Sequence, residues 1–487
     1  MMNAVLTSQS AHAKSADPVP LCVGMNGTLI RTNALVEGVV RLLRANLLNI
    51  LPMLLWLCRG RACFKHRVAS RMPLDLHSLP HNEAVLAWLR QQHAEGRRLI
   101  LCTGANQDLA EQMAAHYGIF SRVLASSESS NRSGEDKADS LIREYGCGGF
   151  DYAGHDARDL PVWHAARRAV LVSATPALRQ RLDAMLVLEK EFQGKDRGVR
   201  TWVRACRLHQ WAKNVLIFLP AVGAHQLLDP GTLLASVTAF VLFGVCASGT
   251  YLLNDLMDLE ADRGHPSKQH RPLASGELPV DQGLMAAGLM ITASLGLALL
   301  ALGPLFLAMM LVYLLSTVLY SSIIKRIAMV DVLTLAGLYT VRVLGGSAAT
   351  GIVPSFWLLA FSMFMFLSLA MAKRYAELLV MQDAGRRASS GRGYTVEDLP
   401  LIQNCGISTG YLSVLVFALY INSRPSEMFS YPEMLWLLCP LLLYWISRIW
   451  IKTHRRRMHE DPVVFALRDR PSLCTALLAG MLMLLAI

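Results

Sequence analysis

The sequence is poor in charge. Asp, Glu, Lys and Arg make up 17% of its 487 residues against 53% hydrophobic ones, and the mean hydropathy is +0.35. That balance excludes a wholly soluble protein. Paired cysteines are also lacking. Cys22, Cys58, Cys63, Cys102, Cys147, Cys206, Cys246, Cys405, Cys439 and Cys474 are scattered, with no C-x-x-C pair. This argues against a structural zinc or a disulfide framework and fits a reducing face or lipid-buried thiols. Residues 1–19 are polar and hold no apolar core, so no signal peptide is expected there. The net charge of +11 calls for no nucleic acid, because basic residues beside membrane helices satisfy the positive-inside rule and face anionic lipid.

The apolar residues are unevenly spread. Short apolar strands are expected at 20–24, 98–103, 122–125, 150–153 and 169–172, with helices over 83–95 and 107–117. Strands alternating with helices imply an α/β domain with a parallel, doubly wound, Rossmann-like sheet over residues 18–190. An insertion precedes Leu79. Its stretch Val36–Trp56 is apolar but carries Arg41 and Arg44, which suits a cap helix near 36–58 lying on a membrane and not spanning it. A charged linker with Gly194 and Gly198 is expected at 191–206.

From 207 to 487 an all-α, multi-pass membrane bundle is expected. Apolar runs recur near 213–228, 231–253, 282–301, 304–322, 328–349, 354–375, 405–422, 432–451 and 471–487, about nine spans. Alternate loops are basic: Arg263, Lys268 and Arg271; Lys325 and Arg326; Lys373, Arg374, Arg386, Arg387 and Arg392; Lys452, Arg455, Arg456, Arg457, Arg468 and Arg470. The opposite loops hold only Arg424. The positive-inside rule then puts the N-terminal domain in the cytoplasm and Ile487 on the far side.

The most informative stretch is Asn254-Asp255-Leu256-Met257-Asp258-Leu259-Glu260-Ala261-Asp262, at the end of an apolar run. If the helix continues, positions 254, 255, 258 and 262 share one face. Three carboxylates and an amide oxygen on one stripe repel unless a hard cation bridges them, and Mg²⁺ is the usual choice beside phosphate oxygens. The competing reading is a solvated acidic turn. Other polar residues fall at the same expected membrane face: Arg207, Gln210, Lys213 and Asn214; Tyr320 and Lys325; Asp331; Lys373, Arg374 and Glu377. Arg342 lies inside an apolar run, where an Arg is expensive and faces a polar cavity or a partner. For Lys325 and Arg326 alone, plain membrane anchoring is an alternative. Together, one acidic cluster and several cations at one depth describe a pocket for Mg²⁺ and a diphosphate.

Two resemblances follow. The order of a first strand with Gly27-Thr28-Leu29, a second strand ending in Thr103, then Lys137, then Gly154-His155-Asp156-x-x-Asp159 resembles the haloacid dehalogenase (HAD) phosphatase superfamily. That family places a nucleophilic Asp and an acid/base Asp where this chain has Gly24 and Asn26. The resemblance therefore implies a HAD-like domain without its nucleophile, a pseudophosphatase.

The second covers about residues 200–487. Asn-Asp-x-x-Asp-x-x-x-Asp, formed by Asn254, Asp255, Asp258 and Asp262, resembles the first signature of the UbiA superfamily of intramembrane prenyltransferases. The second Asp-rich motif of most members is replaced by Lys373-Arg374-Tyr375-Ala376-Glu377. With Arg207-x-Gln-Trp-x-Lys-Asn214 and His265-Pro-x-Lys268-x-x-Arg271-Pro272, this resembles the decaprenyl-phosphate phosphoribosyltransferase branch. What it implies is phosphoribosyl transfer from 5-phosphoribosyl-1-diphosphate to a polyprenyl phosphate in the bacterial cytoplasmic (inner) membrane. Mg²⁺ would be held by Asn254, Asp255, Asp258 and Asp262, with Asp255, Asp258, Arg342 and Lys373 as catalytic residues. Substrates would be bound by Arg207, Gln210, Lys213, Asn214, Lys268, Arg271, Tyr320, Lys325, Arg342, Lys373, Arg374 and Glu377. The partners expected are the two substrates and the bilayer, not nucleic acid, and a homo-oligomer is compatible. Prenyl transfer to an aromatic or other acceptor and a non-catalytic scaffold are the alternatives.

Overall fold

The computed structural model describes residues 19–71, 75–127, 134–194, 198–265, 267–385, 393–423, 429–458 and 461–486. Arg386, Arg387, Arg392, Arg424 and Ile487, which entered the topology argument, lie outside these residues. The chain divides into two compact units. One holds the described residues up to Trp202 together with Asp255–Gly283; the other holds Val203–Asn254 and the described residues from Leu284 onward.

In the first unit, six strands form one parallel sheet: β1 (Leu21–Val23), β2 (Leu99–Asn106), β3 (Arg122–Ser126), β4 (Asp151–Gly154), β5 (Arg168–Val172) and β6 (Val187–Phe192). Their order is β3-β2-β1-β4-β5-β6. The central strand β1 pairs Cys22 with Ile100 on one side and with Tyr152 on the other. It is buried on both faces, which is why it reads as an unbroken apolar run. The order reverses at β1, so a crevice opens past its carboxyl end, where α/β sheets bind ligands. The linker expected at 191–206 is partly structured, since β6 reaches Phe192 and a helix covers Val199–Ala205.

The insertion is three helices, Ala34–Ala45, Ile50–Cys58 and Arg61–Arg71, and not a single cap helix. Met53 and Trp56 pack with Leu42 and Val68, whereas Leu51, Leu54 and Leu55 are more than half exposed.

The second unit is helical. Among the described residues six helices are long and apolar enough to cross a membrane: Pro230–Met257, Val280–Ser322, Val330–Thr350, Phe356–Asp383, Val396–Ser423 and Pro432–His454. A seventh arises if Pro462–Arg468 and Arg470–Ala486, bent by 82°, count as one span. The count differs from the expected nine. The expected runs 282–301 and 304–322 both lie in Val280–Ser322, where two helices meet at a kink at Gly303 (φ 84°), just before Pro304, and count once among the six. The run at 213–228 is no span. It folds as a 3-10 stretch, Leu208–Phe218, and a short helix, Leu219–Gly223, with a proline in its first turn. That stretch is clasped by the helix Val330–Thr350: a Cβ on Gly346 would lie 2.0 Å from the Ile217 carbonyl oxygen, so only glycine allows the approach.

Candidate functional site

The acidic stretch does not form one continuous helix. Pro230–Met257 stops, and Asp258 (φ −96°, ψ 10°) caps a new short helix, Leu259–Arg263. This corrects the single-face expectation, although the Asp262 amide still donates to the Asp258 carbonyl at 2.9 Å. Asp255 and Asp262 are buried. Both carboxylates converge on Arg271, whose Nη1 lies 3.0 Å from Asp255 Oδ1 and 2.5 Å from Asp262 Oδ2. Two buried carboxylates require a positive partner, and the guanidinium supplies it. Asn254 and Asp258 are half-buried and Lys268 is exposed.

No three His, Cys, Asp or Glu side chains are grouped as a ready metal cage among the described residues. The oxygen donors nevertheless suit Mg²⁺. Asp255 and Asp262 converge on one point, which Arg271 fills.

The membrane unit gathers its own cluster, and its centre was not foreseen. Asp461 is buried just before the helix Pro462–Arg468, which it caps by accepting from the Val463 amide at 3.2 Å. Lys213 Nζ donates to its Oδ2 at 2.8 Å, Lys373 Nζ at 3.2 Å, and the Tyr339 hydroxyl reaches Oδ1 at 3.0 Å. Burial alone would raise the Asp461 carboxyl, but Lys213 and Lys373 with these hydrogen bonds hold it well below the usual carboxylate range. Beside it, Arg342 Nε donates to Asn214 Oδ1 at 3.0 Å, and its guanidinium lies 4.9 Å from the Tyr313 ring centre. Asn214 Nδ2 is buried and has no hydrogen-bond partner among the described residues, an unmet donor that a ligand oxygen would satisfy. The sequence signal for Asp461 is its place before Pro462, a helix-start pattern; nothing in that pattern points to charge pairing.

The remaining expected residues fall around other partners. Arg374, 1% exposed, pairs with Asp331 at 2.5 Å and with Glu377, and its Nη2 donates to the Tyr320 hydroxyl at 3.4 Å. Arg207 lies over the Tyr251 ring at 5.3 Å. Gln210 and Lys325 are half-buried.

In the α/β unit, the crevice past β1 is a cavity of about 720 Å³ lined by Gly24, Asn26, Thr103, Lys137, Asp156 and Asp159, among others. Lys137 Nζ donates to Asp159 Oδ1 at 2.7 Å and to the Tyr152 hydroxyl at 2.8 Å. Burial would raise the Asp159 carboxyl, yet Lys137 holds it below its ordinary value. Asn26 Oδ1 accepts from the Ala34 amide at 3.2 Å, so it ties the turn to the first insertion helix. Thr103 Oγ1 accepts from the Ala105 amide at 3.1 Å, and Asp156 pairs with Arg158 at 2.6 Å. The His155 ring stacks against Gly27, where a Cβ would lie 2.1 Å from its Cδ2. Gly24 brings no carboxylate to the turn.

The helices long and apolar enough to cross a membrane place this chain for comparison with known membrane proteins. Residues 215–469 match the UbiA prenyltransferase family, and the chain belongs to that family. It is 35% identical over 460 residues to the uncharacterized protein y4nM of Sinorhizobium fredii, covering 93% of this chain and 88% of that one. Coverage that broad takes in both the sheet and the membrane helices. It is 35% identical over 281 residues to the nodulation protein NoeC of Azorhizobium caulinodans, covering 56% of this chain and 89% of that one. A decaprenyl-phosphate phosphoribosyltransferase of Corynebacterium glutamicum is 37% identical over 229 residues, covering 46% of this chain and 69% of that one.

Proposed function

We propose that this chain transfers 5-phosphoribose from 5-phosphoribosyl-1-diphosphate to a polyprenyl phosphate, with Mg²⁺, giving polyprenyl-phosphoryl-5-phosphoribose and diphosphate. The observation that carries this reading is the group formed by buried Lys213, Arg342 and Asn214 with half-buried Lys373 around Asp461 and Tyr339. Prenyl transfer to a neutral ring handles one diphosphate. Phosphoribosyl transfer brings together a diphosphate, a 5-phosphate and an acceptor phosphate, which calls for extra cations. The similarity to the Corynebacterium enzyme supports the same choice.

In this reading an oxygen of the lipid phosphate attacks ribose C1 while the C1–O bond to diphosphate breaks, and the bonding pair leaves with diphosphate. The acceptor is already an anion, so no protein base is needed. Asn254, Asp255, Asp258 and Asp262 would hold Mg²⁺, which would supply charge neutralisation at the diphosphate. Lys213, Lys373 and Arg342 hold phosphate oxygens, and Asp461 keeps the two lysines aimed. The Asn214 amide is the remaining donor. Arg374, tied to Asp331 and Glu377, fixes the helix that carries Lys373, while Arg207, Gln210, Lys268, Arg271, Tyr320 and Lys325 complete the substrate contacts. The α/β unit is a HAD-like domain that has lost hydrolysis, on the cytoplasmic side of a bacterial inner membrane.

The test is incubation of purified protein with labelled 5-phosphoribosyl-1-diphosphate, a polyprenyl phosphate and Mg²⁺, followed by extraction of lipid. A labelled lipid that disappears in Asp255→Ala is expected. No labelled lipid with any polyprenyl phosphate overturns the reading. Turnover of a prenyl diphosphate favours the prenyl-transfer alternative, and activity unchanged in Asp255→Ala favours a role without this stretch.

A further inference from the structure

The segment Asp255–Gly283 belongs to the same compact unit as the α/β sheet, and its contacts there are specific. Glu37, in the first turn of Ala34–Ala45, is 5% exposed. Its two carboxylate oxygens accept from both terminal nitrogens of Arg263, at 3.0 and 2.6 Å. The Thr32 hydroxyl adds a third hydrogen bond at 2.5 Å. Arg263 Nε donates onward to the Ala274 carbonyl at 3.2 Å, so this one guanidinium ties the start of the segment to its later part. One turn along the insertion helix, Arg41 pairs with Glu260. Further down the segment, Gly276 (φ 68°) packs on Arg31, where a Cβ would lie 2.8 Å from the Arg31 Cβ.

Glu260 and Arg263 are three residues apart on the short helix Leu259–Arg263, so they share one face. Asp258 caps that helix and its carbonyl accepts from the Asp262 amide at 2.9 Å, while the Asp262 carboxylate turns to Arg271. The α/β domain therefore grips this turn through Glu260 and Arg263 and not through the aspartates. A buried, bidentate ion pair is directional. It adds little to stability compared with apolar packing, but it fixes the rotation of the helix that bears it.

We infer that the α/β domain is a clamp for the aspartate stretch, and that Glu37 is a positioning residue that sets Asp258 and Asp262 through Arg263. The inference rests on the metal-holding role proposed for those aspartates, and it accounts for a domain without a nucleophile fused to a membrane transferase.

Two readouts on the full chain test it. The first, amide hydrogen exchange across 255–283, needs no substrate and stands even if the transfer reaction is not the one proposed. In Glu37→Gln, exchange is expected to rise several-fold in that segment while β1, β2 and β4 keep their protection. Arg41→Gln, at a more exposed pair, gives a smaller rise. The second readout is the Mg²⁺ concentration for half-maximal transfer, expected to rise several-fold in Glu37→Gln with turnover at saturating Mg²⁺ largely kept; Glu37→Asp recovers part of the shift. Exchange in 255–283 equal to wild type in both variants overturns the clamp. A rise spread evenly through the sheet also overturns it, because Glu37 would then only hold the fold.

Discussion

Lys213 and Asp461 are 248 positions apart in the chain, and their side chains meet at 2.8 Å in a buried site. The pair joins the 3-10 stretch after the first unit to the turn before the last bent helix, and Lys373 and Tyr339 close on the same carboxylate. Removing the acid alone strands buried Lys213 beside Lys373 and Arg342. Asp461→Asn is expected to cost about 3–5 kcal/mol, the range for breaking one side of a buried pair, seen as a lowered melting temperature in detergent. Adding Lys213→Met should restore much of the stability and none of the transfer activity. An Asp461→Asn protein that melts with wild type would show that the pair is solvated.

The Arg271 contacts predict how Mg²⁺ and stability are linked. With Arg271→Gln, Asp255 and Asp262 lose the guanidinium that they share, and a divalent cation becomes the partner available to both. The variant should be less stable than wild type without Mg²⁺. It should also gain more from Mg²⁺, up to about 2.7 kcal/mol at a hundredfold excess over the dissociation constant. The comparison is a pair of thermal melts, each with Mg²⁺ and with chelator. Equal Mg²⁺ shifts in the two proteins would falsify the assignment of Asp255 and Asp262 to one cation site.

His155 gives the α/β domain a pH dependence of definite sign. Burial lowers its pKa below the ordinary 6.5, outweighing Asp159 and Asp156, which act to raise it. As pH falls below about 6.5 the unfolded chain takes up a proton that the folded domain refuses, so stability declines until the folded-state pKa is reached. Asp159 acts lower down: its depressed pKa gives stability that is present above its ordinary value and lost as the pH falls through the folded-state value. Fluorescence of buried Trp163 during melting between pH 7 and 5 reads the first effect. His155→Gln should flatten that slope, and an unchanged slope assigns it to another group.

Much of this architecture is legible in the sequence because burial writes itself as composition. Five of the six strands are short apolar runs, and each falls where expected within a residue or so at most ends. The strand Val-Leu-Glu-Lys-Glu-Phe at 187–192 was missed because an edge strand, partly exposed along its length, carries charge where a central strand cannot. The overcount of spans has a similar origin. An apolar run with Pro220 inside it can pack as a 3-10 stretch and a short helix against glycine, and hydropathy does not distinguish that from a crossing. The cations Lys213, Arg342 and Lys373 were visible because a charge in an apolar stretch is conspicuous. Asp461 was not, because an Asp among loop charges looks solvated until the chain returns it to Lys213.

The turn that holds Gly24 and Asn26 makes the last prediction, and the packing decides its form. Wild type is expected to hydrolyse no generic phosphate ester, since Gly24 offers no nucleophile and Asn26 is engaged with the Ala34 amide. Placing Asp at position 24 is tight but possible. Its Cβ would meet Thr28 Oγ1 at 3.1 Å, the Ala153 carbonyl at 3.3 Å and the Tyr152 hydroxyl at 3.4 Å, and relief of that crowding costs about 1–3 kcal/mol. The Thr28 hydroxyl is buried without a hydrogen-bond partner among the described residues, so it can donate to the new carboxylate and offset part of that cost. Asn26→Asp breaks no tie, because an Asp oxygen still accepts from Ala34. The Gly24→Asp, Asn26→Asp protein should therefore fold with a modest loss of melting temperature and give slow hydrolysis, limited by His155 lying against Gly27. Adding His155→Asp should raise that rate. If all three proteins stay inactive while folded, the cavity has lost more than its nucleophile and acid.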